Sequence, residues 1–322
     1  MTRLVGFSFL IGTILVLLVP AAVADSFGFA SVDVPGSSFT QVYGINDAGQ
    51  IVGRYFGDGG EHGFLLSGNT FARIDFPGAI ATFAIGINDV GQIVGRYDDG
   101  NAFHGFLLNG GVFTPIDVPG AQSTRASGIN NAGQIVGRYG SRSGFLEGGT
   151  EHGFLLSGGG VFASINDPLG IGSTQANGIN NLGQIVGHYF ESFASERGHG
   201  YLLSGGVFTP IDVPGAYSTF AYGINDAGQI VGLYRPAQKG FLFSEGLFSE
   251  VSGSAYAFGI SDIGKIVGGG SSSLTVALIP IGSGPVVEPP RVEPPEVVPE
   301  PGTFLLVISG LTGMIGLRKK SA

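Results

Sequence analysis

The sequence predicts an all-β fold, a six-bladed β-propeller of four-stranded blades, and three observations support that prediction. A Gly-Ile-Asn motif recurs at Gly44, Gly86, Gly128, Gly178 and Gly223, with a weaker Gly-Ile-Ser copy at Gly259. The copies are spaced 42, 42, 50, 45 and 36 residues apart. Each contains four short runs rich in β-branched and aromatic residues, bounded by turn-forming residues. Glycine supplies 59 of 322 residues, about 18% against a usual ~7%. Such a chain is unsuited to helices, because each interior Gly costs a helix about 1 kcal/mol. Glycine at every third residue, the mark of a collagen helix, is absent.

The second copy shows why each run should be a strand. Phe71 to Phe76 is the first run and ends at Pro77-Gly78, a pair suited to a type II turn. Thr82 to Asn88 is the second, closed by the tight turn Asp89-Val90-Gly91 with Gly at the left-handed position. Gln92 to Tyr97 follows, and His104 to Leu108 is the fourth, ended by Asn109-Gly110-Gly111. Ile93-Val94 and Phe106-Leu107-Leu108 are apolar on consecutive positions, so both faces of the sheet should be covered. Four doubly covered strands in about 43 residues suit a blade packed between two neighbours. A β-solenoid is the alternative, but four turns per unit are hard to stack linearly. The repeats run from Phe29 to near Pro280, so the propeller is assigned to residues 25–284.

The two ends read as addresses. Residues 1–24 have Arg3, an apolar stretch from Leu4 to Val19, and small residues Ala22 and Ala24 before Asp25. This is the pattern of a cleaved signal peptide, with its apolar stretch as a helix and signal peptidase as processing partner. Residues 285–298 form a proline-rich, semi-rigid linker. Residues 299–322 begin with Pro299-Glu300-Pro301, continue through the uncharged run Thr303 to Leu317, and close on Arg318-Lys319-Lys320. The run is short for an ordinary span but sufficient for a thin bilayer. The basic cluster should stay cytoplasmic, leaving the body on the far side of the membrane.

That tail resembles the PEP-CTERM sorting signal in the order of its three parts. The resemblance implies a C-terminal transmembrane helix held transiently in the inner membrane of a Gram-negative bacterium. It also implies cutting by an exosortase and release to a cell surface associated with biofilm matrix. The body resembles the HAF-type extracellular repeat proteins. The run Gly-Ile-Asn-Asp-Ala-Gly-Gln-Ile-Val-Gly carries most of that likeness. The signature His-Ala-Phe stands here as His-Gly-Phe or His-Gly-Tyr at His62, His104, His152 and His199. The fifth copy departs from it with Lys239, and the sixth has no counterpart. The resemblance implies architecture and address but no chemistry.

Charge and composition exclude several functions. Lys and Arg number 15 and Asp and Glu 24, for a net charge of −9. Four of the basic residues and none of the acidic ones lie in 1–24 and 301–322, so residues 25–300 carry −13. A nucleic-acid partner is disfavoured, since phosphate binding needs a basic face. The absence of cysteine excludes disulfides and thiolate metal sites. No nucleophile elbow, HExxH motif or phosphate loop is present. No catalytic, cofactor or metal residue is therefore assigned. The histidines are expected in structural hydrogen bonds, and Asp47, Asp89 and Asp226 in turns, since they lack the alternating oxygen ligands of a calcium loop. Ion pairs or hydrogen bonds within a copy are expected for Asp33/Arg54, Asp75/Arg96 and Asp117/Arg138.

Positions that differ between copies are the better ligand candidates, because one ligand needs asymmetry. Phe83, Arg125 and Phe220 occupy the variable position of the Thr-x-Ala run, and the loops 140–150 and 190–198 also differ. The sequence points to an exported, non-catalytic protein of the cell surface or matrix that binds polysaccharide or a surface protein. A secreted polysaccharide-active propeller enzyme and a matrix protein without specific ligand are the alternatives.

Overall fold

The computed structural model describes residues 28–141, 151–171, 173–192, 197–251, 256–269 and 274–278. The signal peptide with Ala22, Ala24 and Asp25, the linker, and the sorting tail with Pro299, Glu300, Pro301, Arg318, Lys319 and Lys320 lie outside these residues. So do both expected terminal helices. The described chain is all-β, with no helix among the described residues.

Twenty-four strands follow one another among the described residues. After β1 (Gly28–Ser31) come β2 (Phe39–Ile45), β3 (Ile51–Gly57), β4 (Gly60–Ser67) and β5 (Thr70–Ile74). The next four are β6 (Ala81–Ile87), β7 (Ile93–Asp98), β8 (Phe103–Asn109) and β9 (Val112–Ile116). Then come β10 (Ser123–Ile129), β11 (Ile135–Gly140), β12 (Glu151–Ser157) and β13 (Val161–Ile165). They are followed by β14 (Ser173–Ile179), β15 (Ile185–Phe190), β16 (Gly198–Ser204) and β17 (Val207–Pro210). The last strands are β18 (Ser218–Ile224), β19 (Ile230–Arg235), β20 (Lys239–Ser244), β21 (Leu247–Val251), β22 (Tyr256–Ile260), β23 (Lys265–Gly269) and β24 (Leu274–Leu278).

Consecutive strands pair antiparallel as four-strand meanders, β2 to β5, β6 to β9, and so on through β18 to β21. Two single parallel bridges, Glu61 to Ala81 and Glu151 to Ser173, join pairs of meanders into eight-stranded sheets. The final sheet has the order β1-β24-β23-β22, so its outermost strand comes from the other end of the chain. Here the structure corrects the phase of the repeat. The Phe71–Phe76 run heads the second copy in sequence, yet β5 pairs with β4 of the preceding sheet. The first copy's leading strand, left without a preceding sheet, pairs with β24 instead.

The turn chemistry acts as expected. Gly91 adopts a φ of 81°, and its N–H donates to Asn88 O at 3.1 Å. The first two strands of each meander share a bulge before the Gly-Ile motif, as between Ala84 and Gly86. The glycine of Ile-Val-Gly is needed for packing rather than for backbone freedom. Gly95 lies opposite Phe106 across β7 and β8. A Cβ at Gly95 would collide with the Phe83 carbonyl and press on the fully buried Phe106 ring, whose Cε1 would lie at 3.0 Å.

Each apolar core forms between two successive meanders. One contains Val52 of β3 and Ile74 of β5 with Ala84, Ile87, Ile93 and Phe106 of the following meander. Another joins Val94 to Ala126, Ile129 and Phe154. The same arrangement packs Val267 of β23 against Val42, Ile45 and Phe64. The last sheet therefore shares a core with the first four-strand meander. Burial on both faces is why the strands carry consecutive apolar residues.

Candidate functional site

The second strand of each sequence copy (β2, β6, β10, β14, β18 and β22) brings its Gly-Ile segment to a common centre. A Cβ on Gly44 would contact Gly86 Cα, and the same relation links Gly86 to Gly128, Gly178, Gly223, Gly259 and back to Gly44. The Asn or Asp after the motif closes a second cycle. The backbone N–H of Asp47 donates to Asp89 Oδ1, Asp89 to Asn131, Asn131 to Asn181, Asn181 to Asp226, Asp226 to Asp262, and Asp262 to Asp47. Alongside it, Asn46 Nδ2 donates to Asn88 O at 3.1 Å, and Asn88, Asn130, Asn180 and Asn225 repeat the bond to the next copy.

Two cavities lie at this centre. The smaller, about 60 Å³, is lined by the Asn and Asp turns. The larger, about 210 Å³, is lined by residues of all six copies. Ile87, Ile129, Ile179, Ile224 and Ile260 line both.

At the smaller cavity, Asp47, Asp89 and Asp262 can each offer an oxygen within 4.8 Å of the others. This arrangement could hold a cation, but its carboxylates already have a structural use. Each accepts a backbone N–H in the cycle, and Asp89 also accepts Asn131 Nδ2 at 2.8 Å. Burial, and then the charges of Asp226, Asp47 and Asp89, raise the Asp262 carboxyl, with its hydrogen bond from Asp226 opposing them. Reading the turns singly missed this convergence. The invariant 42-residue offset of Asp47 and Asp89 was the available signal.

The larger cavity is asymmetric. The residue before each central Gly is Tyr43, Ile85, Ser127, Asn177, Tyr222 or Phe258, and each lines the wall. Arg96 and Arg138 complete it. Among the described residues, none lining this cavity is acidic. Burial raises the Tyr43 hydroxyl and pushes Tyr222 up to about 12, so both phenols stay neutral donors.

Behind the wall, the variable Thr-x-Ala residue lies directly opposite the Arg position of Gly-Arg-Tyr. The cross-strand pairs are Gln41 with Arg54, Phe83 with Arg96, Arg125 with Arg138, Gln175 with His188, and Phe220 with Leu233. Phe83, Arg125 and Phe220 are buried. The Phe83 ring lies beneath Arg54 and Arg96, and the Phe220 ring packs on His188. These three side chains support the residues that face the cavity and do not line it themselves.

Two carboxylates serve this layer. Arg54 Nη1 donates to Glu61 at 2.6 Å. Glu151, also buried, accepts Arg125 Nη1 and Gln175 Nε2 at 2.6 Å each and lies 3.3 Å from Arg138 Nε. His188 is held neutral, its pKa lowered to about 3 by burial and by the Arg138 charge. Its Nδ1 meets Asn177 Nδ2 at 3.0 Å. Burial, reinforced by the charge of Arg138, lowers Arg96 to about 10.

The expected Asp–Arg pairs do not form. The carboxylates bond instead to the repeated histidines: His62 to Asp75 at 2.8 Å, His104 to Asp117 at 2.9 Å and His199 to Asp212 at 2.8 Å. His152 makes the same bond to Asn166 at 2.7 Å. Each imidazole also packs on a tyrosine, as His104 does on Tyr97. Arg and His occupy consecutive register positions, with Arg96 opposite Gly105 and Tyr97 opposite His104. The pleat sends alternate residues to opposite faces, so the arginines turn away from the aspartates. Of the two variable loops, residues 142–150 and 193–196 lie outside the described residues.

No known protein-family profile matches the chain, and no curated protein matches it. Among solved structures, a streptogramin B lyase is 12% identical, covering 76% of this chain and 80% of its own, with a TM-score of 0.46. A fucose-specific lectin from Aleuria aurantia is 11% identical, with coverages of 78% and 99% and a TM-score of 0.46. The β-propeller domain of the Trilobed protease from Pyrococcus furiosus is 10% identical, with coverages of 74% and 94% and a TM-score of 0.44.

Proposed function

We propose that the chain is an exported, non-catalytic, six-bladed β-propeller that binds its ligand at the larger central cavity. The observation that carries this reading is the asymmetry of the cavity wall. Six equivalent positions hold Tyr43, Ile85, Ser127, Asn177, Tyr222 and Phe258 around a repeated glycine frame. A wall built only for packing has no need of such variety, whereas one ligand bound on the axis of a ring requires it. Two arginines and two tyrosines stand beside apolar surface in the wall, the mixture expected of a small-molecule or glycan site. The closed hydrogen-bond cycle and the core shared by Val267 and Val42 support six blades, with β1 completing the last.

In this reading signal peptidase cuts after Ala24. The tail from Pro299 then holds the protein in the inner membrane until an exosortase releases the body to the cell surface. The partner is an extracellular polysaccharide or surface protein. A glycan array probed with the purified exported protein, with and without a chelator, tests the binding role. Saturable binding to a defined glycan class that survives the chelator is expected. Hydrolysis of a bound glycan would overturn the non-catalytic assignment. Sequencing the N-terminus of the exported protein should find Asp25 first, and an uncut Met1 would overturn the export route.

A further inference from the structure

Arg96 is the side chain in this layer whose charge the fold leaves unmatched. Its relatives in the neighbouring copies show what is missing. In the first copy Tyr55 lies opposite His62 and Phe56 opposite Glu61, and Glu61 takes Arg54. In the third, Tyr139 lies opposite His152 and Gly140 opposite Glu151, and Glu151 takes Arg138 and Arg125. In the second, Tyr97 lies opposite His104, and the position of the glutamate is filled by Phe103, opposite Asp98.

Among the described residues the Arg96 guanidinium consequently has no carboxylate. It lies against two rings, 4.5 Å from the Phe83 centroid and 5.2 Å from Phe103, which meet each other edge to face. Contact with aromatic rings gives a guanidinium's N–H groups no hydrogen-bond acceptor. No described residue takes them, and Nε is fully buried without a partner. Among the described residues the ion pairs of the neighbouring arginines 54, 125 and 138 go to two glutamates, and neither glutamate pairs with Arg96. Arg96 also lines the larger cavity, with Arg138, Tyr43 and Tyr222 on the same wall.

We infer that Arg96 receives the carboxylate of a small anionic ligand, which enters the larger cavity and supplies the counter-charge that Glu61 and Glu151 give in the neighbouring copies. This inference rests on the binding role proposed above and names its ligand class. A carboxylate suits the site because Glu61 takes the equivalent Arg54 in a charge-assisted bond of 2.6 Å and Glu151 lies 3.3 Å from the equivalent Arg138. A cavity of about 210 Å³ is below the roughly 300–1,000 Å³ of drug-sized pockets and suits one small ring. The neutral phenol of Tyr222 would meet its hydroxyls. The carboxylate could belong to a free acid or to an acidic polysaccharide unit.

Calorimetric titration of the full exported protein with galacturonate, polygalacturonate and galactose tests this inference. Two variants accompany it. Phe103→Glu supplies the missing carboxylate from within, and Arg96→Gln removes the receptor. Galacturonate, polygalacturonate or both should bind the wild type at least tenfold more tightly than galactose. Both variants should lose that preference by tenfold or more. Thermal melting confirms that each is folded, and Phe103→Glu should melt at or above the wild type. Binding of the monomer alone identifies a free acid as the ligand source, and binding of the polymer a polysaccharide. Equal binding of galacturonate and galactose, or unchanged preference in either folded variant, would overturn the carboxylate assignment while leaving a binding role intact. A wild type that binds neither acid also overturns it. The glycan array then decides the wider reading separately.

Discussion

Removing the Glu151 carboxylate should be the most damaging single change to the layer behind the cavity. Glu151 is 4% exposed and faces two guanidiniums and one amide. In Glu151→Ala, Arg125 at 11% exposure and Arg138 at 24% would keep their charges and lose this carboxylate. Breaking a buried pair by deleting one partner costs about 3–5 kcal/mol. The partial exposure of Arg138 gives it some access to water, so about 3 kcal/mol is expected. At about 2–4 °C per kcal/mol for a domain of this size, the melting temperature should fall by roughly 6–12 °C. Glu61→Ala is the control. Glu61 is 33% exposed and pairs with Arg54, so its loss should cost about 1 kcal/mol or less. Differential scanning calorimetry of both variants at one pH and salt concentration decides the matter. Equal shifts for the two, or a Glu151→Ala shift under about 2 °C, would refute the claim that burial makes the Glu151 network the stronger one.

Three further outcomes are expected. Asn130→Ala removes the Nδ2 bonds to Asn180 O and Gln134 Oε1 and the Oδ1 bond from the Gln134 N–H, and urea denaturation should show a loss of about 2–3 kcal/mol. Gly95→Ala forces a methyl against the Phe83 carbonyl and the Phe106 ring, and a comparable loss of about 3 kcal/mol should appear in the same assay. His188 takes a proton near 6.5 when unfolded but only near 3 when folded. Between those values the unfolded state binds more protons, so stability present above 6.5 should be lost as pH falls. The slope is about 1.4 kcal/mol per pH unit. Chemical denaturation from pH 7 to 4 should show a shallower slope for His188→Gln, and an unchanged slope would assign the loss to other groups.

Local pattern made the strands legible. The run Thr82 to Asn88 became β6, and the turn at Asp89 formed around a left-handed Gly91. Both depend on neighbours in the chain, which the sequence displays directly. Consecutive apolar residues such as Ile93 and Val94 correctly announced two covered faces, because sheet packing requires both sides to be apolar. The histidines were read as structural, and their bonds to Asp75, Asp117, Asn166 and Asp212 show how.

Pairing between distant residues was not legible. Covariation within the repeat joined aspartate to arginine, but the aspartates meet the histidines of the preceding copy, and only the pleat decides which face each side chain takes. Phe83, Arg125 and Phe220 stood out as variable, yet variability does not distinguish the cavity wall from its supporting layer. Their buried register positions opposite Arg96, Arg138 and Leu233 do. Composition and repeats alone determined an all-β chain of glycine-punctuated four-strand units with variation at a few equivalent positions. Tertiary structure decided that β1 completes the last sheet, that the Asn and Asp turns meet in one cycle, and that Arg96 stands without the glutamate its neighbours have. The reason is physical: strand formation is local, whereas charge balance at a shared centre depends on residues that only the tertiary arrangement brings together.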